Sequence, residues 1–140
     1  KIANRVFFLG NEGTAHSIKL AMNLQITMLA LALSEGITLV EKSNVDPKKF
    51  LEILNSTYFK TGMSEKKAYK MIEGDYDATF TLANLKKDIS TMTNTAKNLG
   101  IKLPMIEKAQ QVYENAVKEG FGEIDYTGII EYIKKSNELK

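Results

Sequence analysis

The chain has 140 residues, 44% of them hydrophobic and 26% charged, with a net charge of +2 and no cysteine. Such a composition describes one ordinary domain, long enough to bury a core without cross-links, and it excludes disulfides, thiol chemistry and cysteine-ligated metal. The 19 basic residues are scattered among 17 acidic ones, so no nucleic-acid-binding block is indicated, and the lack of cysteine fits a reducing, cytoplasmic setting.

Val6-Phe7-Phe8-Leu9 is β-branched and aromatic and ends at Gly10, which predicts a short strand. The run is too brief for a signal peptide. No strand partner follows, because every later pattern is helical. Residues 1–10 are therefore expected to be the last strand and linker of a sheet-bearing part of a longer protein, with 11–140 forming a helical domain.

Gly10 and Gly13 permit backbone conformations that other residues disfavour, and Thr14 is expected to cap the next turn. A helix from Thr14 to Lys42 would be about 43 Å long and is the expected spine. Between Ile18 and Leu33 it is apolar on nearly every side, the pattern of a helix buried all round. Lys19, Asn23 and Thr27 interrupt this with a polar line every fourth residue. That line marks a wet seam, or a lysine that snorkels to the surface, or a catalytic lysine on a cleft wall. A membrane span is disfavoured by Asn23, Gln25 and Thr27 and by the flanking Lys19 and Glu35. A dinucleotide loop is disfavoured because the spacing Gly10, Gly13, Ala15 does not meet G-x-G-x-x-G.

Asp46-Pro47 starts a second helix, as cap and first-turn proline, with Phe50, Leu51, Ile53 and Leu54 facing inward. A looser stretch with Tyr58 and Phe59 is expected to cross the core. Ser64 is expected to cap a helix from Glu65 to Glu73, with lysines 66, 67 and 70 solvated, and Gly74 to Asp77 breaks it. From Phe80 to Leu99, an apolar stripe of Leu82, Leu85, Ile89, Met92, Ala96 and Leu99 predicts a long helix ended by Gly100. Asn84, Asp88, Thr91 and Thr95 border that stripe. By pattern alone Asp88 is a border residue paired with a lysine, and Lys87 points to solvent. Pro104 begins a helix with Ala109, Val112, Tyr113, Ala116 and Val117 inward. Gly120-Phe121-Gly122 turns the chain, and Asp125 or Thr127 caps a last helix carrying Ile129, Ile130 and Ile133. The fold class is all-α, a helical bundle around one long N-terminal helix.

Gly10, Gly13, Ala15, Lys19 and Asn23 resemble the signature G-x-x-G-x-G-x-x-x-K-x-x-x-N of the β-hydroxyacid dehydrogenases, the group of 3-hydroxyisobutyrate dehydrogenase and tartronate semialdehyde reductase, with alanine in place of the third glycine. Ser34 to Leu39, Val45-Asp46-Pro47 and the passage from Gly100 to Asp125 are also similar to that family. Its F-x-x-x-L-x-x-x-D arrangement with a Lys-Asp pair falls on Phe80, Lys87 and Asp88, with the leucines at 82 and 85 instead of 84.

The resemblance implies the all-helical C-terminal domain of a two-domain enzyme like 6-phosphogluconate dehydrogenase in architecture. It implies Lys19 as proton donor or acceptor, and Asn23, Phe80 and Asp88 at the substrate. Lys87 would lie near an NAD or NADP bound mainly by the N-terminal domain. A small β-hydroxyacid or semialdehyde substrate and a homodimer or tetramer follow, without nucleic acid, membrane or metal. His16, the sole histidine, is expected at the surface. The decarboxylating 6-phosphogluconate branch is disfavoured because Met22 stands where that enzyme has histidine before the asparagine. A helical dimerisation module without chemistry of its own is the other reading, and the 140 residues alone are expected to be catalytically silent.

Overall fold

The fold is that of a computed structural model describing residues 5–139. Its spine, α1, runs from Thr14 to Lys42 as the sequence predicts. Gly13 takes the N-cap position with φ +87, a conformation open to glycine but strained for other residues. Thr14 is thus the first helical residue and not the cap; its hydroxyl donates to the Asn11 carbonyl at 2.9 Å.

The spine is not buried all round. Leu20, Asn23, Thr27, Ala30, Leu33, Ser34, Ile37 and Thr38 face the interior, while Met22 and Leu39 are 63% and 67% exposed. The polar line therefore turns inward beyond Lys19 and forms no wet seam. Thr27, Ser34 and Thr38 can be buried because each hydroxyl donates to the carbonyl four residues back, at 2.8, 2.7 and 2.7 Å, so none of the three leaves an unmet donor. By length and composition α1 would also suffice to cross a membrane, but here it carries the two hydrophobic clusters of the bundle.

The first cluster joins the N-terminal half of α1 to α5 (Leu82–Asn98), α6 (Pro104–Ala116) and α7 (Ile129–Ser136). The second joins its later part to α2 (Pro47–Asn55), α4 (Ala68–Glu73) and Ile130 of α7. Asp46 caps α2 through Lys48 N–H at 2.9 Å, as expected. Tyr58 and Phe59 do not cross the core; both are exposed.

The helix expected from Glu65 starts earlier and is broken. Thr61 is the N-cap of α3 (Gly62–Lys66), and Ser64 closes a reciprocal capping box with it at 3.0 and 2.9 Å. Lys67 separates α3 from α4 and is not solvated with its neighbours, because its ammonium turns in to Asp125. In α5 the expected stripe is buried as far as Ala96, but Leu99 lies past the last turn and is 67% exposed. A π-turn over Val117–Phe121 and a 3-10 turn over Tyr126–Gly128 link α6 to α7.

Residues 1–4 of the expected strand and linker lie outside the described residues. Val6 to Leu9 form no strand; they are exposed and irregular. A strand needs a neighbour for its N–H and C=O groups, and the described residues include no such ladder, only an isolated bridge between Thr81 and Asp125.

Candidate active site

Two helices bring two of the sequence-predicted residues into contact. Asn23 on α1 donates from Nδ2 to Oδ2 of Asp88 on α5 at 2.7 Å, across 65 residues of sequence. A carboxylate only accepts hydrogen bonds, so the amide nitrogen must face Asp88, and the side-chain oxygen of Asn23 is turned away from it as an acceptor with no donor among the described residues. Asp88 is half-buried and Asn23 buried, so the pair is held where water competes weakly. The lysine partner expected for Asp88 is thus replaced by an amide.

Lys19 lies one turn before Asn23 on the same side of α1, a spacing that puts their Cβ atoms about 6 Å apart. It is exposed and has no ion-pair partner among the described residues. The apolar helix does not bury it, because the neighbouring apolar side chains Ile18 and Met22 are themselves exposed, and its ammonium reaches the surface as one of the sequence readings has it. Phe80 is half-buried just before Thr81, the N-cap of α5, and its ring meets Tyr126 edge-on at 6.1 Å. Lys87 is exposed, next to Asp88 and off the buried stripe, as its position in the pattern predicts. Two surface grooves, one of about 480 Å³ beside Lys42 and Tyr132 and another of about 240 Å³ lined by Leu24, Met92 and Leu103, do not include these residues. Of the predicted residues, only Asn23 and Asp88 are joined by a direct hydrogen bond.

Residues 13–133 match the family model described as NAD-binding of NADP-dependent 3-hydroxyisobutyrate dehydrogenase. The chain belongs to this family. Among relatives of this 3-hydroxyisobutyrate dehydrogenase-type domain, glyoxylate/succinic semialdehyde reductase 1 of Arabidopsis thaliana is 27% identical over 137 residues, covering 98% of the chain and 47% of the relative. The uncharacterised oxidoreductase YfjR of Bacillus subtilis is 30% identical over 135 residues, covering 95% and 47%. The crystal structure of 3-hydroxyisobutyrate dehydrogenase (ygbJ) from Salmonella typhimurium superposes with a TM-score of 0.87 at 20% identity, over 94% of the chain and 46% of that protein. That likeness establishes the helical fold. The chain spans about half the length of the curated relatives it matches.

One cluster escaped the sequence reading. Asp125 is 2% exposed, and its Oδ2 accepts from Thr79 N–H at 3.1 Å, the Thr79 hydroxyl at 2.8 Å and Phe80 N–H at 3.4 Å. Oδ1 accepts from Thr127 N–H at 3.2 Å and its hydroxyl at 2.8 Å. Lys67 Nζ reaches Oδ2 at 3.3 Å and the Thr79 hydroxyl at 2.9 Å, and lies over the Tyr126 ring at 5.3 Å. Burial pushes this carboxyl up, but the hydrogen bonds from Thr127 and Thr79 overcome it and hold the pKa at about 2. The sequence offered Asp125 or Thr127 only as alternative caps; nothing local pointed to Thr79 or Lys67.

Proposed function

We propose that this domain is the C-terminal half of an NAD(P)-dependent β-hydroxyacid dehydrogenase or semialdehyde reductase. The observation that carries this is the Asn23–Asp88 hydrogen bond, which joins the two helices bearing the family-like motifs. A nicotinamide coenzyme, when bound, supplies or takes the hydride at the substrate carbon. Lys19 supplies the matching proton to the carbonyl oxygen during reduction, or takes it from the hydroxyl during oxidation. Because α1 leaves Lys19 exposed, the water-excluding surface that favours such transfer must come from what closes over it. Asn23 offers its carbonyl oxygen to the substrate or to Lys19, with Asp88 fixing its orientation, and Phe80 and Asp88 border the substrate.

The residues fit a coenzyme on the outer side of α5, where Lys87 presents an exposed ammonium with no ion-pair partner among the described residues. The rest of the coenzyme would be held by a preceding Rossmann-type domain. The test is turnover of the full-length enzyme with 3-hydroxyisobutyrate, tartronate semialdehyde, glyoxylate and succinic semialdehyde, each with NAD(H) and NADP(H). Lys19→Ala should lower kcat by at least about a hundredfold while coenzyme affinity stays unchanged. Near-normal kcat in that variant removes the proton role.

A second reading, association through α1, is favoured by its outward stripe. Ile18, Met22, Gln25, Ala32 and Leu39 are exposed on one side of the helix, a surface suited to another copy of the domain in a homodimer or tetramer. The two readings are compatible.

A further inference from the structure

Phe80 has no helix to hold it. It ends the irregular segment after Gly74 and precedes the cap of α5, so the place of its ring must be set by other contacts. Those contacts come from one short stretch, 122–126. Asp125 accepts from the N–H groups of Thr79 and Phe80, and Tyr126 N–H donates to the Phe80 carbonyl at 2.9 Å. Tyr126 also gives the ring its edge-on neighbour. The first two N–H groups of α5, on Leu82 and Ala83, donate to the carbonyls of Ile124 and Gly122, each at 2.9 Å. These are helix-start donors with no partner inside their own helix.

We infer that Asp125 is a positioning residue for Phe80, holding the substrate-facing aromatic from behind through the backbone of residues 79 and 80. The inference rests on the dehydrogenase reading, in which Phe80 borders the substrate. The choice of a carboxylate follows from the donor count. Both oxygens face N–H and O–H donors, Thr79 and Phe80 on one side and Thr127 on the other, so both must accept. An asparagine would aim its amide hydrogens at one of the two sets. Lys67 offsets the buried charge without being needed for orientation, since neutral donors already surround both oxygens.

The test is a double-mutant cycle in the full-length enzyme with Asp125→Asn and Phe80→Ala, measuring kcat, KM for the hydroxyacid and KM for the coenzyme. Asp125→Asn is expected to lower kcat/KM for the hydroxyacid between about ten- and a hundredfold, the scale of an ångström-sized misplacement, with the coenzyme KM unchanged. In a Phe80→Ala background the same change should have little further effect, an outcome that a merely structural role would not give. Independent, multiplying losses overturn the inference, as does a folded Asp125→Asn enzyme with normal kcat/KM while Phe80→Ala alone is impaired. If Phe80→Ala itself is silent, the dehydrogenase reading of Phe80 falls and the inference falls with it. Should Asp125→Asn not fold, Thr79→Val serves instead. It removes one donor to the same oxygen and leaves the Thr127 side intact; the loss should be smaller, in the same direction, and again vanish in the Phe80→Ala background, and a loss that persists there overturns the inference.

Discussion

The depressed carboxyl of Asp125 makes a signed prediction about stability. Its pKa is held at about 2 in the fold against 3.8 for the free side chain, and each pH unit of such a difference is worth about 1.4 kcal/mol. The folded state therefore gains roughly 2 kcal/mol from this group once the carboxyl is ionised in both states. Because the folded value is the lower one, the gain is complete above about pH 5, falls as the pH drops through 3.8, and is gone below about 2. About half of it is lost by pH 3. Urea unfolding of wild type and Asp125→Asn at pH 6, 4 and 3 reads this directly. The stability difference between them should shrink by roughly 1 kcal/mol from pH 6 to pH 3. Comparing the two proteins cancels other carboxyls, including exposed Asp75, whose pKa is lowered chiefly by its hydrogen bond from Lys70. A difference that does not change with pH would refute the claim that the threonine donors select the ionised form.

Two further outcomes follow from the packing. The Tyr113 hydroxyl is fully buried with no hydrogen-bond partner among the described residues, and burial pushes its pKa well above the ordinary 10. Tyr113→Phe should thus raise unfolding free energy by about 1 kcal/mol, since an unmet buried donor costs that much or more; a loss of similar size in thermal or urea unfolding would show that the hydroxyl is satisfied. On the outward stripe, Met22→Glu should change unfolding free energy by less than about 0.5 kcal/mol, while shifting sedimentation from dimer towards monomer. An unchanged association state would take this face out of the interface.

Local signals made much of the fold legible. The glycines before α1, Asp46-Pro47, the α5 stripe and Gly100 each act within a few residues, and the helices they predict are present. What escaped depends on distance or on a choice between faces. The side of α1 that turns inward could not be read from apolar periodicity, because apolar residues lie on both sides; intrahelical bonds from Thr27, Ser34 and Thr38 let the polar line take the interior. The break at Lys67 was hidden for a related reason. A lysine in a basic helix looks solvated until its partner, 58 residues away, is known. At the candidate site, Asn23 and Asp88 were each legible through their motifs, but their mutual hydrogen bond was not.

That bond changes how the site works in the proposed enzyme. Substrate orientation needs groups whose direction is fixed before binding, and the Asn23–Asp88 pair and the Phe80 backbone meet this need, tied at 2.7 Å and through residues 122–126 respectively. Proton transfer places a different demand on Lys19. A side chain with several free torsions on an exposed helix surface must be ordered and desolvated when the cleft closes, and that cost is met only with substrate in place. Loss of a fixed group should therefore weaken substrate capture, whereas loss of Lys19 should strike the chemical step, so KM and kcat would separate the two classes of residue along a single helix.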